Sequence, residues 1–366
     1  MTVKDIISPI EQLAPLVYQE GYDNCGLQVG NLDDVVTGVL ISLDVTEAIV
    51  DEALARGCNL IVSHHPLIFS GLKRISGRTY VERVIQKAIK NDISIYAAHT
   101  NLDNMRNGVN AKIAGKLGLV NTSILSVKTG TLSKLYTYAP LAAADTVRDA
   151  LLAAGAGEIG HYSECSFQAP GAGTFRPNPL ANPGIGAAGG PRESVAEAKI
   201  EVLVTKDKER AVLNALFKNH PYEEVAYELI ALQNPNQDIG AGMVGNLPQP
   251  IDEVQFLHYL KNNMHTACIR HTALTGKPIT RVAVCGGAGS FLLRDAIQAG
   301  ADIFITGDFK YHQFFDAEGK IIIADIGHYE SEQFTLEIFD ALLKKKFLNF
   351  AILLSNLSTN PVNYFC

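Results

Sequence analysis

Two kinds of segment alternate along the chain up to about Leu125 and restrict the folds that it can adopt. Helix-like stretches, TEAIVDEALARG and YVERVIQKAIKND, carry apolar residues three and four positions apart. Around them lie short β-branched runs that end in polar residues: TGVLISLDV, NLIVSHHP and ISIYAAHTNLD. The order β-α-β-α-β predicts an α/β fold with a mostly parallel sheet covered by helices. In such folds the functional residues gather at the carboxyl ends of the strands.

The C-terminal part of the chain has the same alternation, and one alignment without gaps relates the two parts. A shift of 243 positions, the distance from Gly57 to Gly300, also places Ser63 on Thr306 and His65 on Asp308. Identities are few, and unrelated strand–helix–strand units share this order. The match without gaps nevertheless favours a duplicated α/β core.

A segment of different texture separates these two parts. Its centre, QAPGAGTFRPNPLANPGIGAAGGPRES, is dense in Gly and Pro, which predicts an exposed loop or a long hairpin. Around this centre the pattern predicts strands and helices in alternation: KLYTYAP, AADTVRDALLAAGAG, AKIEVLVT, KERAVLNALFKNH and VAYELIALQ. We therefore predict that an α+β domain, residues 129–233, is inserted into the α/β domain formed by residues 1–128 and 234–366.

The composition is that of an ordinary globular protein. Of the 366 residues, 47% are hydrophobic and 19% are charged, which excludes a largely disordered chain. Acidic residues outnumber basic ones by 38 to 31, so the net charge of -7 argues against a nucleic-acid-coating or membrane-surface protein. No apolar run is long enough to span a bilayer, and the N-terminus does not have the pattern of a signal peptide. These features predict a cytoplasmic protein.

Ionisable side chains concentrate at the predicted strand ends. The six cysteines form no CxxC pair, so a bound metal would need nitrogen and oxygen ligands. A lone histidine at a strand end is more often a surface or hydrogen-bonding residue. Several clusters together favour a metal site. The clusters are His64 and His65 in SHHP, His99 and Asp103 in HTNLD, Asp308 and His312 in GDFKYH, and His328, Glu330 and Glu332 in GHYESE.

The spacing within these clusters suits two metal ions. Adjacent residues at a strand end point to opposite sides, so His64 and His65 fit two ions better than one. His328 and Glu332 lie four apart at the predicted start of a helix, on one face, where the carboxylate could bridge the ions. Asp103 supplies a second carboxylate. Three histidines and two carboxylates are typical of a dinuclear centre, with zinc first and iron, manganese or cobalt as alternatives.

The remaining polar motifs predict supporting roles. In the turn CGGAGS, the backbone around Gly286, Gly287, Gly289 and Ser290 could cradle a phosphate, although a tight turn without a ligand fits equally well. Asp308, His312, Tyr329 and Glu330 are candidates to orient ligands or substrate, and Asn24 and Gln28 could face the site. We interpret the other histidines as structural: His161, His220, His258, His265 and His271.

Five motifs, taken in order, resemble those of the GTP cyclohydrolase 1 type 2 homologues, also called the Nif-three-like family of dinuclear metal proteins: SHHP, HTNLD, VAVCGGAGS, TGDFKYH and GHYESE. The resemblance covers the whole chain. It is to the longer bacterial form, whose insert resembles a PII- or CutA-like βαββαβ module, and HPYEEVAYEL matches the end of that insert.

The resemblance implies two divalent metal ions per subunit, held by His64, His65, Asp103, His328 and Glu332. It also implies a homohexameric ring around a cavity that the metal sites face. The implied substrate is GTP, with hydrolytic attack on C8 of guanine. For this reaction His99 is our candidate for proton transfer, and the CGGAGS turn is the candidate seat for the phosphates. Two alternatives stay open: a dinuclear phosphoesterase or amidohydrolase for another nucleotide-like substrate, and a non-catalytic metal-binding or regulatory assembly.

Overall fold

A computed structural model describes residues 1–365 and divides the chain into two compact units. Unit 1 consists of Met1–Val127 and the chain from Gln237 onward, and unit 2 is Lys128–Asn236. The predicted insert, residues 129–233, therefore lies inside unit 2. None of the helices in residues 1–365 combines the length and the apolar character needed to cross a membrane.

The described residues form strands and helices in alternation. The strands are β1 (Gly26–Val29), β2 (Val39–Ser42), β3 (Leu60–Ser63), β4 (Ser94–Ala97), β5 (Val120–Val127), β6 (Leu132–Pro140), β7 (Ser166–Phe175), β8 (Glu193–Thr205), β9 (Tyr227–Ala231), β10 (Gly240–Ile251), β11 (Arg270–His271), β12 (Ile279–Ala288), β13 (Ile303–Gly307), β14 (Ile322–Asp325) and β15 (Ile352–Leu354).

The α-helices are α1 (Val3–Leu13), α2 (Glu47–Ala55), α3 (Tyr80–Lys90), α4 (Thr100–Asp103), α5 (Val109–Lys116), α6 (Ala144–Ala153), α7 (Glu209–Asn219), α8 (Glu253–Asn263), α9 (Leu293–Gln298), α10 (His328–Glu332) and α11 (Leu336–Lys346). Short 3-10 turns cover Leu16–Tyr18, Ser290–Leu292, Tyr311–Ala317 and Gln333–Thr335.

The first sheet of unit 1 has the order β1-β4-β3-β2-β15 and is mostly parallel, as predicted. Only the β1–β4 pair is antiparallel. Every residue of β2, β3 and β4 is buried, because apolar clusters cover both faces of the sheet. Strands β3 and β4 run in the same direction, so the residues after Ser63 and Ala97 emerge at one edge.

The second sheet of unit 1 has the order β11-β14-β13-β12-β10-β5. Its centre, β12-β13-β14, is parallel as predicted. The other three pairs are antiparallel. Two of them belong to β10, which pairs with β12 and with β5, the strand that precedes unit 2 in the chain. The largest apolar cluster takes side chains from both sheets, so the two predicted halves share one core.

The repeat inferred from the sequence is visible in the elements. With the shift of 243 positions, β2 falls within β12, α2 matches the segment from Ser290 to Gln298, and β3 falls within β13. Gly57 and Gly300, which follow the two equivalent helical segments, have φ angles of 69° and 70°. This left-handed conformation favours glycine. The equivalence supports the predicted duplication of the core.

Unit 2 contains one antiparallel sheet of order β7-β8-β6-β9. In chain order its elements are β6, α6, β7, β8, α7 and β9, a βαββαβ sequence. Apolar residues of α6 and α7 pack on one face of the sheet. Part of the Gly/Pro-rich stretch forms β7, and the rest connects β7 to β8. The likeness to PII or CutA modules stays a prediction from the family resemblance.

Candidate metal site

His64 follows the last residue of β3 and is fully buried. Its Nδ1 lies 2.9 Å from the carbonyl oxygen of Ala98. A carbonyl can only accept a hydrogen bond, so Nδ1 is the donor, and in the neutral ring Nε2 keeps its lone pair. This nitrogen is the one that would be free to bind a metal.

His65, the next residue, lies between two carboxylates. Its Nδ1 is 2.7 Å from Oδ1 of Asp44, and its Nε2 is 2.9 Å from Oε2 of Glu332. Burial favours the neutral ring, but the two carboxylates outweigh it and raise the pKa of His65 to about 10. Asp44 follows β2, so its position fixes the orientation of the His65 ring.

Helix α10 follows β14 and supplies His328 and Glu332 from one face. Nδ1 of His328 is 2.8 Å from Oδ2 of Asp308. Nε2 of His328 is 3.1 Å from Oε2 of Glu332 and 3.2 Å from Nε2 of His65. Burial lowers the pKa of His328, but Glu332 and Asp308 outweigh this effect and raise the pKa to about 9.

Glu332 is the carboxylate on which three imidazoles converge, and it is 2% exposed. Burial raises its pKa, but hydrogen bonds to His328 and His65 and the nearby His64 outweigh burial and hold the pKa well below its usual range. Its two oxygens face different partners. Oε2 faces His65 and His328, and Oε1 lies 3.7 Å from Nε2 of His64.

Asp103, at the end of α4, points one oxygen at His64. Oδ1 lies 3.5 Å from Nε2 of His64, and both atoms are buried without a hydrogen-bond partner among the described residues. Burial raises the pKa of Asp103 to about 7, and the neighbouring Glu332 adds to this effect. Two buried, unsatisfied groups that face each other are costly. A cation between them would satisfy both, so these residues fit a metal ion.

His99 lies beside this group and is held by Asp23. Its Nδ1 is 2.9 Å from Oδ1 of Asp23. The other oxygen of Asp23 accepts a hydrogen bond from the hydroxyl of Thr100. Burial raises the pKa of Asp23, but the hydrogen bonds from His99 and Thr100 outweigh it and place the pKa far below its usual range. Asp23 is therefore ionised, and it holds the imidazole with Nδ1 as the donor.

Potential ligand atoms of these six residues form three groups, each within 4.8 Å: His64, His65 and His99; His65, His328 and Glu332; and His64, Asp103 and Glu332. Hence all five residues predicted as ligands, together with His99, lie in one cluster. Such a cluster could hold a metal ion. Within the part of the chain that the structure describes, the histidines interpreted as structural belong to none of these groups.

The structure separates the predicted supporting residues. Asp308 contacts His328 as described, whereas His312 is exposed and packs against Tyr311. Glu330 is buried and accepts a hydrogen bond of 3.0 Å from Nδ2 of Asn360. Tyr329 lines the cavity described below.

Two predicted residues make contacts other than the expected ones, and two supporting carboxylates were missed. Asn24 and Gln28 both bond the backbone of Ile68, so they fix the loop after the histidine pair. Sequence reasoning missed Asp44 and Asp23 as the carboxylates that orient His65 and His99. The polar residue after β2 was a usable signal for Asp44, but nothing local identified Asp23.

The glycine-rich segment CGGAGS, predicted as a turn after the strand, begins within the end of β12 and is occupied by the protein itself. The amides of Gly286, Gly287 and Gly289 donate to side-chain oxygens: Asn110 Oδ1, Ser331 Oγ and Thr306 Oγ1. A Cβ added at Gly287 would collide with the carboxylate of Glu332, so this glycine leaves room for the metal-site residue. Phosphate binding at this turn stays a prediction, and it would have to displace these three hydrogen bonds.

A cavity of about 1110 Å³ opens over the cluster. His65, His99, Asp103, His328 and Glu332 line it, together with aromatic side chains that include Tyr22 and Phe69. Volumes of this order accommodate a small organic ligand. The structure thus defines a mixed α/β protein whose strand ends gather imidazoles and carboxylates that could hold a metal ion beneath a ligand-sized cavity.

Comparison with known proteins agrees with this class. The family model Duf34/NIF3 (NGG1p interacting factor 3) matches residues 1–361. The chain therefore belongs to the DUF34/NIF3 family. Curated relatives named GTP cyclohydrolase 1 type 2 homolog include one from Halalkalibacterium halodurans, 39% identical over 98% of both chains. Another, from Bacillus subtilis, is 38% identical over 99% of this chain and 98% of its own.

A solved structure is also similar throughout. The Bacillus cereus protein related to NIF3 has a TM-score of 0.86 and 38% sequence identity, and the match covers 100% of this chain and 99% of that one. The resemblance inferred from the five motifs is therefore confirmed at the level of the family and the fold.

Proposed function

We propose that this chain binds two divalent metal ions and uses them to hydrolyse a nucleotide-like substrate. The observation that carries the proposal is the placement of Glu332, whose two oxygens face different imidazoles. One ion would be held by His65, His328 and Glu332, and the other by His64, Asp103 and Glu332. Zinc is the first candidate because histidine and carboxylate sites suit it, and iron, manganese and cobalt are alternatives.

The surroundings of each imidazole support metal binding. Nδ1 of His64 bonds a backbone carbonyl, while Nδ1 of His65 and of His328 each bonds a carboxylate. This outer bonding directs Nε2 of each ring toward the centre and increases its basicity. Divalent ions at such a site supply Lewis acidity and bring the pKa of water toward neutrality.

His99 is the proposed proton-transfer residue. Its Nδ1 is fixed by the ionised Asp23, and its ring centroid lies 5.2 Å and 5.3 Å from those of His64 and His65. A histidine oriented by a buried carboxylate at the edge of a ligand-sized cavity has the geometry of a general acid or base. Its substitution should therefore affect turnover more than metal content.

The substrate class rests on the relatives and on the cavity. GTP is the first candidate because relatives carry the name GTP cyclohydrolase 1 type 2 homolog. Tyr22 and Phe69 at the cavity offer apolar faces for a planar base. Hydrolytic attack at C8 of guanine would open the imidazole ring and, on completion, release formate. The turn at Gly286–Ser290 is the predicted seat for the phosphates.

Metal-reconstituted protein and its His99→Asn variant decide between the proposed functions. Both are stripped of metal, reloaded with zinc, iron, manganese or cobalt, and incubated with GTP and with a panel of nucleotides and phosphodiesters. Formate from GTP, lost in the variant at unchanged metal content, is the expected result. Phosphate or nucleoside products instead would support a phosphoesterase, and metal binding without turnover of any substrate would contradict a hydrolase.

Two further properties stay predictions: assembly as a homohexamer, which the resemblance implies, and a cytoplasmic location, which the composition and the N-terminal pattern predict. Native mass spectrometry of the intact protein tests the first, with six chains as the expected mass. Cell fractionation tests the second. Neither property is needed for the metal-site proposal.

A further inference from the structure

Unit 2 contains a second cavity, of about 650 Å³, that the metal site does not involve. Its floor is the sheet face opposite α6 and α7. Ala198 and Ile200 of β8 pack with the helices, so the alternating residues Glu197 and Lys199 project to the other face. The connection from β7 to β8 forms the opposite wall, and a hydrogen bond of 2.7 Å from the amide of Asn182 to Glu223 fastens it there.

Glu197 is the notable polar group in this cavity, because it is a carboxylate only 8% exposed. One oxygen, Oε1, accepts a hydrogen bond of 2.7 Å from the hydroxyl of Tyr222. The other, Oε2, lies against Gly173, where a Cβ would collide with it. Glu197 takes part in no ion pair within residues 1–365. A buried carboxylate without a counter-ion is unfavourable.

The basic groups near Glu197 do not supply this counter-ion. Nζ of Lys199 is 3.0 Å from Oε1 of Glu201 and lies over the ring of Tyr136, so its charge is already compensated. Nε2 of His220 donates a hydrogen bond to the carbonyl oxygen of Tyr138. Nδ1 of His220 accepts a hydrogen bond from the backbone amide of Tyr222. A ring that accepts at Nδ1 and donates at Nε2 is neutral.

Aromatic rings form the rest of the recognition surface. The rings of Phe175 and Tyr222 lie 5.7 Å apart at 63°, and Tyr138 lines the same cavity. Aromatic faces beside a carboxylate bind organic cations, because the ring quadrupole attracts the charge. A bare metal ion fits less well, since in the described part of the chain the groups of three or more potential metal ligands all lie in unit 1.

We propose that this cavity is a second ligand site that binds an organic cation, an ammonium group carried on a flat apolar body. Glu197 pairs with the ammonium group, and Phe175, Tyr138 and Tyr222 pack against the apolar body. Gly173 leaves room for the carboxylate itself, because a Cβ at this position would collide with Oε2 of Glu197. The proposal is independent of the metal site, because every residue that it uses lies in unit 2.

Isothermal titration of the full chain with three isosteric probes tests the site. The probes are phenethylammonium, the neutral phenethyl alcohol and the anionic hydrocinnamate. We expect phenethylammonium to bind with a Kd of about 1 mM or below, and the other two at least about tenfold more weakly. Equal binding of the three, or no binding of phenethylammonium below about 10 mM, would overturn the proposal.

Three variants locate the binding. Glu197→Gln should weaken phenethylammonium binding at least about tenfold, and Tyr222→Phe about threefold. Glu228→Gln makes the same charge change at an exposed residue of β9 outside the cavity and should bind like wild type. Unchanged binding by both Glu197→Gln and Tyr222→Phe would show that the probe binds elsewhere. Should Glu197→Gln fail to fold, Tyr222→Phe and the probe comparison still decide.

Discussion

Replacing Glu332 with glutamine removes the carboxylate that two of the three groups of potential ligands share. The substitution keeps the size of the side chain but removes a negative charge from a position that is 2% exposed and 2.9 Å from a histidine nitrogen. Two unit charges about 4 Å apart interact by about 4 kcal/mol at an effective dielectric constant of about 20. The loss of this interaction should therefore lower the affinity for each metal ion by about a thousandfold.

The sharing of Glu332 predicts a pattern of stoichiometries as well as a magnitude. Asp103 belongs to one group and His328 to the other, so Asp103→Asn and His328→Asn should each lose one ion of two. Glu332→Gln should weaken both. Zinc titration of the stripped protein against a chromophoric chelator measures the affinities, and elemental analysis counts the ions.

A matched control lies on the same helix. Glu330 is buried like Glu332 but belongs to none of the potential ligand groups of the described chain. Glu330→Gln should therefore bind two ions with wild-type affinity. Two tightly bound ions in Glu332→Gln would refute the shared carboxylate, and so would the loss of the same single ion in Asp103→Asn and His328→Asn.

Four further results are expected. The pKa values of His65 and His328 are raised to about 10 and about 9, so a metal ion must displace a proton from each ring near neutral pH. Metal affinity should therefore rise with pH between about 7 and 8, and about two protons should be released per loaded chain. A metal titration in weak buffer measures both quantities, and an affinity independent of pH would contradict this expectation. Asp44→Asn should weaken metal binding by about 10- to 100-fold because the His65 ring loses its orienting carboxylate, as zinc titration would show. His99→Asn should keep its metal, counted by elemental analysis, and lose about 100-fold in turnover of whichever substrate is found; equal loss of metal would make His99 a ligand instead. Ile61→Ala, in the buried centre of β3, should lower the free energy of unfolding by about 3 kcal/mol in urea denaturation, whereas a loss below about 1 kcal/mol would contradict the packing described.

The residues of the site that could be predicted from the sequence are those whose positions depend on strand direction or on helical spacing. β3 and β4 are parallel neighbours, so His64, His65 and His99 had to emerge at one edge of their sheet. The spacing of His328 and Glu332 placed both on one turn of helix. These relations are local, or follow from one topological rule, and a single sequence contains them.

The orienting carboxylates depend on contacts between distant parts of the chain. Asp23 reaches His99 from a loop 76 positions earlier, which no local pattern indicates. Asp44 reaches His65 from just after the neighbouring strand β2, where only its position at a strand end was a signal. The glycine turn shows the same limit. Its sequence suggests an anion cradle, but the structure shows that Gly287 makes room for Glu332 and that nearby side chains take up the amides.

The antiparallel pairing of β5 and β10 in the second sheet could not be predicted from the sequence for a related reason. β5 and β10 are separated in the chain by the whole of unit 2, and they pair only after the chain has returned from unit 2 to unit 1. The alternation of strand and helix that predicts parallel pairing does not extend to these strands. Neither β5 nor β10 was predicted as a strand from the sequence, so their pairing was not predicted either.

Anomalous scattering at the zinc, iron, cobalt and manganese edges tests the central claim most directly, on crystals of protein purified without chelator. The account predicts two anomalous peaks per chain, both within coordination distance of Glu332, one also near His328 and the other near Asp103. A single peak that contacts only one of these groups, or peaks located away from Glu332, would contradict it.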